Sequence, residues 1–473
     1  MSKLFSAVPI GLWYFRKGEV SKSLSTLARA RVKPQIALGY IEQGKDIQRV
    51  LSKPLPAPLP GNNNTFDFNG KVLFACHSSG KFHPNGYAIR TNEIAGALSN
   101  LNVSVTAITR PGYPWDLPGF EHEKIILKSE FRGLYFEHLH DPLNMINRSY
   151  RQYIMAYAKH LEGMARSVNA SVIHAHSNYL NGLAAQQACV RNGWRSIYEI
   201  RGLWHLTRAS KESGYLNSEH FQFCEHMEVS AALTCDRVVT LNKSMRNWLV
   251  DKGVPSQKIT IIPNGTEKRK TPIISKEKPG ELVIGYAGAL TEYEGVDNTI
   301  KAIALLYKKD LRVKFLIAGH GDQQETLKTL SKKLGISSEL SFLGHLSGKN
   351  LERFYDSVDI VVLARKNLPV SRLVPPLKLM EAFAHGKAVI VTNLPPLTEI
   401  LHQENCGIVV DSGSPRSLSE AIAFLINSPN ERIKMSQKAL KVANDRFLWS
   451  NLVQKYVDVY QCTDTINGAH SPE

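Results

Sequence analysis

The chain has 473 residues, 43% hydrophobic and 21% charged, which is globular composition in a chain too long for one ordinary domain. No apolar run approaches the roughly 18–20 residues that a membrane helix needs, and six cysteines without a C-x-x-C pair or zinc spacing read as buried thiols of a reducing cytosol. The net charge of +16 asks for an anionic partner. No basic-aromatic strand pair and no helix-turn-helix with a basic face is present, so nucleic acid is set aside in favour of an anionic membrane surface, diphosphate-bearing substrates or a surface that is merely basic.

Residues 1–60 stand apart. Ten lysines and arginines face three acidic residues there. Leu24, Leu27 and Ala28, then Ile36, Tyr40 and Ile41, give weak helical stripes that predict a two-helix hairpin. Such a piece can lie on an anionic membrane, bind a partner or cap the next domain. The apolar patch near the start is short and broken by Arg16 and Lys17, so no signal peptide is read. Residues 53–64, KPLPAPLPGNNN, predict a linker.

The first large domain is expected over residues 65–267. Lys71–Cys76, Val103–Thr109, Val172–His176, Ser196–Ile200, Val238–Leu241 and Ile259–Ile262 are apolar runs separated by helical segments. That alternation predicts a doubly wound parallel sheet covered on both faces. After the first strand, HSSGKFHPNGYAIR leads into a helix near Tyr87. Arg90 on its first turn can take a phosphate or serve only as a surface arginine. The loop does not satisfy G-x-G-x-x-G, which rules out a dinucleotide reading. His176 ends the strand VIHAH, where a histidine is either structural or functional. In YEIRGLW, Glu199 and Arg201 flank a strand end, either meeting a ligand or forming a buried ion pair, and Trp204 can stack on a sugar face.

Residues 266–280, charged and Pro-bearing, predict the interdomain linker. A second domain of the same kind is expected over 280–445, with strands at Leu282–Tyr286, Val313–Ala318, Leu340–Leu343, Ile360–Leu363, Ala388–Val391 and Ile408–Val410. Two such sheets in tandem imply a cleft between their carboxyl edges. Gly319–Asp322 (GHGD) and Leu343–Leu346 (LGHL) are glycine turns at strand ends. The stretch Pro369–Val391, PVSRLVPPLKLMEAFAHGKAVIV, gives a loop, a helix opened by Pro375-Pro376 and closed by His385-Gly386, and a short strand. A helix N-terminus at a sheet's carboxyl edge is a place for a phosphate. Glu381, one turn in, can hold ribose hydroxyls. The plainer reading is an amphipathic helix and a core strand with no site.

This stretch, with GYAIRTNEIAGAL and the order of the other motifs, resembles the signature of retaining GT-B glycosyltransferases of the large family 4 type. The form PPLKLMEAFAHGKAVI is similar to a bacterial exopolysaccharide-associated branch. The resemblance covers about residues 70–460 and implies the GT-B fold: two Rossmann-like domains, here with an N-terminal helical extension and a closing helix over 446–462. It implies sugar transfer from a nucleoside-diphosphate sugar to a saccharide acceptor, lipid-diphosphate-linked, in surface polysaccharide assembly. The expected place is the cytoplasm, peripheral at the inner face of the membrane, with no bound metal and no cofactor beyond the co-substrate.

By the same resemblance, His176 and Glu381 are the catalytic pair. Gly288, Glu294, Gly319, His345, Arg372, Leu377, Lys378 and Glu381 hold the donor. Gly86, Tyr87, Arg90, Glu199 and Arg201 meet the acceptor. The chain departs from the family in three places. The first glutamate of E-x7-E falls on Leu373. The arginine and lysine that usually neutralise the diphosphate fall on Ala289 and Glu294. The diphosphate is then left to backbone N–H groups after Gly288, the helix end at Leu377, and Arg372 or Lys378 as substitute cations. Two rival readings stay open: a GT-B sugar-nucleotide epimerase, and a non-catalytic glycan- or partner-binding protein.

Overall fold

A computed structural model describes residues 7–30, 33–58, 66–141, 145, 148–269 and 282–461. The tail from Cys462 and most of the expected linkers at 53–64 and 266–280 lie outside them. The chain divides into two compact units. The first comprises Met1–Leu241, Met245–Ile262 and Val453–Glu473; the second comprises Asn242–Ser244 and Pro263–Leu452.

The first unit holds eight strands: β1 (Lys71–Cys76), β2 (Ser104–Thr109), β3 (Lys128–Phe131), β4 (Leu134–Glu137), β5 (Val172–His176), β6 (Arg195–Ile200), β7 (Arg237–Thr240) and β8 (Ile259–Ile261). Their order is β3-β4-β2-β1-β5-β6-β7-β8. All pairings are parallel except the β3–β4 hairpin. That hairpin was not expected: KSEF and LYFE are short and polar, and they are joined by Arg132 and Gly133, both at positive φ. The chain reverses direction across the sheet between β1 and β5, so the loops after these two strands flank the crevice where open sheets of this kind take ligands.

Among the described residues the extension holds three helices where two were expected: Ala7–Arg16, Val20–Ala28 and Gln35–Leu51. It does not stand apart. Gly11 lies directly under the Leu27 side chain, where even a Cβ would sit 2.5 Å from it. Phe15 packs on Tyr40 and on His220 of the helix Glu219–Thr234. The Gln43 side chain donates to the Met145 and Arg148 carbonyls. These contacts make the extension part of the first unit.

The second unit holds β9 (Leu282–Ala287), β10 (Val313–Ala318), β11 (Leu340–Gly344), β12 (Ile360–Leu363), β13 (Ala388–Thr392) and β14 (Gly407–Val410), in the order β11-β10-β9-β12-β13-β14 and all parallel. The alternation along each strand explains the unbroken apolar runs. Ile360, Val362, Ala388 and Ile390 enter one core layer. Val361, Leu363, Val389 and Val391 enter the other. Each fully buried aliphatic side chain contributes roughly 1.5–3 kcal/mol. The switch point here falls between β9 and β12.

One buried acid lies outside any site. Glu228 is 1% exposed and accepts from the Tyr198 hydroxyl. Burial raises its pKa to about 7. The folded state therefore favours the protonated form. Stability is fullest below the ordinary carboxylate range and falls as the pH rises towards 7, by roughly 3 kcal/mol in all. Glu228→Gln is expected to remove that slope: urea unfolding of the variant and the parent should agree near pH 5, and the variant should be the more stable at pH 8.

Candidate functional site

In the first unit the expected residues meet below the carboxyl edge of the sheet. His176 lies beside Glu199 in the β5–β6 register. On each strand residues two apart share a face, so His174 joins His176, and Arg201 follows Glu199. The helix Gly86–Ser99 brings Arg90 onto this cluster. The end of the helix Trp449–Gln461 brings Tyr456 and Tyr460. Arg90 donates to Glu199 Oε1 at 2.8 Å, to the Ile262 carbonyl at 3.0 Å and to the Tyr456 hydroxyl at 2.8 Å. Arg201 donates to Glu199 Oε2 at 3.2 Å and to Thr91 Oγ1 at 2.6 Å. His174 meets Glu199 Oε2 at 3.1 Å and the Tyr460 hydroxyl at 2.9 Å.

This geometry corrects two expectations. Arg90 is 2% exposed and spent on internal partners, so it is no open phosphate ligand. His176 is 0% exposed, with Nδ1 near Thr91 Oγ1 and Cys76 Sγ. It lies inside the unit and touches no open surface. Glu199 and Arg201 follow the ion-pair reading that the sequence left open. Burial alone would raise the Glu199 pKa, but Arg201 and Arg90, with His174, hold it well below the usual carboxylate range. Burial, reinforced for His176 by Arg201, drives both histidines towards the neutral form. His174, His176 and Glu199 also offer three ligand atoms within 4.8 Å of one another. Both Glu199 oxygens already meet a guanidinium, so a divalent cation would enter beside two fixed positive charges.

At the β1/β5 switch point the loops are fastened together. Gly86 opens the helix behind the Asn85 cap, which accepts from the Ala88 N–H at 3.1 Å. The Tyr87 hydroxyl accepts from the His77 N–H at 2.7 Å and donates to the His176 carbonyl at 3.2 Å. The His77 ring meets Trp204 edge-on at 4.3 Å, and its buried Nδ1 has no hydrogen-bond partner. Burial, with Arg110, keeps this imidazole neutral. His77 was not singled out in the sequence, although it directly follows the first strand.

The second unit assembles a buried cationic cluster at its switch point. The turn after β9 must be tight: Gly319 has φ +130, and a Cβ there would lie 1.8 Å from the Gly288 carbonyl oxygen. Gly295, at φ +69, likewise leaves room for the Ala364 carbonyl. Of the N–H groups after Gly288, that of Leu290 is spent on the His320 carbonyl. The Lys378 ammonium comes up beside Gly288; a Cβ on that glycine would be 2.6 Å from Nζ. Lys378 pairs with Glu294 Oε2 at 2.7 Å and donates to the Tyr286 hydroxyl at 2.9 Å.

Arg365, just past β12, approaches the same carboxylate at 3.7 Å. It is 3% exposed, and its Nε has no hydrogen-bond partner. Its other end donates to the Val374 carbonyl at 2.7 Å. Burial lowers the Lys378 pKa against the pull of Glu294; Lys378 and Arg365 overcome burial to hold Glu294 below the usual range. Two cations and one anion leave a net positive cluster. The residue standing where the family's lysine is expected is thus the anion that fixes a lysine arriving from elsewhere.

The remaining expected residues lie around this cluster. Leu377 starts the helix Leu377–Ala384, whose first turn has no side-chain cap. Glu381, half-buried, accepts from the Tyr355 hydroxyl at 2.9 Å, and burial raises its pKa. The segment Pro369–Leu373, expected as loop, is a short helix. Arg372 on it is exposed, with Nε on Asn367 Oδ1 at 2.5 Å. The His345 N–H donates to His320 Nε2 at 3.1 Å at the exposed end of β11.

Two family models match the chain in tandem. Glycosyltransferase Family 4 covers residues 84–269, and Glycosyl transferases group 1 covers residues 267–442. The chain therefore carries a family 4 domain followed by a group 1 domain, and its class is glycosyltransferase. An uncharacterized glycosyltransferase of Methanocaldococcus jannaschii is 26% identical over 394 residues, 80% of this chain and 94% of that one. A sucrose-phosphate synthase of Thermosynechococcus elongatus matches with a TM-score of 0.65 at 16% identity, over 83% of this chain and 98% of that one. Anabaena HepE in complex with UDP-glucose matches with a TM-score of 0.61 at 15% identity, over 82% and 98%. The fold is GT-B, as the sequence predicted.

Proposed function

We propose that this chain transfers a sugar from a nucleoside-diphosphate sugar to a saccharide acceptor with retention of configuration, the acceptor being lipid-linked in surface polysaccharide assembly at the inner face of the membrane. One observation carries the donor reading: a buried, net positive side-chain cluster at the second unit's switch point, beside an uncapped helix N-terminus. A diphosphate placed there meets the Lys378 ammonium, the Arg365 guanidinium and the first-turn N–H groups at Leu377. Glu381, oriented by Tyr355, takes the ribose hydroxyls, and the strand-end residues Gly319 and His345 take the base. Negative charge grows on the diphosphate as the glycosidic bond breaks, and fixed cations in a dry site stabilise that charge most where it develops. In this reading no bound metal is needed. His77, Tyr87 and Trp204 of the first unit are the acceptor candidates, in place of the buried Arg90, and the complex with UDP-glucose formed by HepE makes that sugar nucleotide the first donor to try.

The test is donor turnover without acceptor, in EDTA, followed by proton NMR of the anomeric signals. The expected result is slow release of nucleoside diphosphate from one donor, with the sugar appearing first as the anomer the donor carried. First appearance of the opposite anomer contradicts retention. Release of nucleotide with a 2-epimeric sugar would identify an epimerase instead.

A further inference from the structure

The N-terminal extension lies ahead of the residues that either family model covers, so the transferase domains do not account for it. Its first helix has two unlike sides. Ala7, Gly11 and Phe15 are buried against the rest of the first unit. On the other side Ile10, Trp13 and Arg16 lie three apart, Pro9 and Lys17 lie four before and four after Trp13, and all five are exposed. Ile10 is 44% and Trp13 53% exposed. Among the described residues, five of the sixteen exposed large apolar side chains fall within residues 7–58: Ile10, Trp13, Ile36, Leu38 and Leu55. A share in proportion to its length would be about two.

The charge on this piece is arranged in the same sense. Each of its acidic residues is already paired within the extension: Glu19 with Lys22, Glu42 with Lys45, and Asp46 with Arg49. The Arg16, Lys17, Arg29 and Lys53 side chains make no ion pair among the described residues. An apolar stripe headed by a tryptophan and ending in two uncompensated cations matches the layering of a bilayer surface. Acyl chains take Ile10, the interface takes the indole, and anionic headgroups take Arg16 and Lys17. A polyanion such as nucleic acid would use the cations but leave Ile10 and Trp13 in water.

We infer that the extension is a membrane-docking element that seats the helix Ala7–Arg16 on an anionic lipid surface, inclined with its start the deeper end, through Ile10, Trp13, Arg16 and Lys17. It rests on surface chemistry alone and not on sugar transfer, so its test reads binding only. The full-length protein is sedimented with vesicles of phosphatidylcholine alone and of phosphatidylcholine mixed with phosphatidylglycerol. The expected result is partition onto the mixed vesicles, weakened by high salt. Ile10→Ser with Trp13→Ser should lower it at least about tenfold. Arg16→Glu with Lys17→Glu should lower it by about twentyfold or more, each basic contact being worth about fivefold. All four positions are exposed, so circular dichroism should report an unchanged fold. Equal binding to both vesicle types, no binding, or binding untouched by either double variant overturns the inference. So does a change confined to self-association on gel filtration, which would assign the stripe to protein contact.

Discussion

Glu199→Ala is expected to cost the first unit about 3–5 kcal/mol. The carboxylate is the shared partner of Arg90, Arg201 and His174, all of them buried. Its removal leaves two buried guanidiniums facing each other with no counter-charge. The Tyr456 hydroxyl, which donates to Glu199 Oε1 at 3.1 Å, also loses its acceptor, so the end of the last helix should loosen. The folded-state pKa of Glu199 is depressed, so its contribution is present above the ordinary carboxylate range and is lost as the pH falls below it. Five of the six tryptophans lie in the first unit, so tryptophan fluorescence during urea unfolding follows that unit preferentially. A shift below about 1 kcal/mol, the scale of an exposed pair, would show that the cluster is solvated.

Lys378→Met is expected to separate two effects that single substitutions usually mix. It leaves Glu294 buried with Arg365 at 3.7 Å as its nearest cation, so the second unit should lose about 3 kcal/mol or more. It also removes a charge-assisted contact to the diphosphate, worth roughly 1.5–3 kcal/mol, or about ten- to a hundredfold in nucleotide affinity. Adding Glu294→Gln removes the uncompensated carboxylate and keeps an amide oxygen facing the buried Arg365 guanidinium. The double variant should therefore regain most of the stability and none of the affinity. Recovery of both would mean that Lys378 only neutralises Glu294 and never meets a ligand.

The strands of both sheets were legible because a sheet covered on two faces forces apolar residues at every position, and few other structures do. The hairpin β3–β4 was not, since its edge position lets it be polar and brief. The helix Ala7–Arg16 of the extension was hidden for another reason: it buries Ala7, Gly11 and Phe15, two of them small, so its buried side gives hardly any apolar stripe. For the candidate sites, the sequence pointed to strand ends and left the direction of the side chains open. Arg90 looks outward when only its helix is considered; its partner Glu199 lies 109 residues away. His174 had a local signal that was passed over, its spacing of two from His176. The Lys378–Glu294 pair had none, because neither residue predicts the other until β9 and β12 lie side by side. Arg365 was findable by position, as the first charged residue past a buried strand.

The central claim is that the second unit holds a nucleoside diphosphate between Lys378, the helix start at Leu377 and Glu381. The most direct measurement is calorimetric titration of the purified protein with UDP, GDP and ADP, with Glu381→Ala and Lys378→Met alongside. Micromolar binding of one nucleotide, lost in Glu381→Ala and weakened at least tenfold in Lys378→Met, is the result the cluster predicts. A folded protein that binds none of the three, or binds one equally well with both side chains removed, would contradict it.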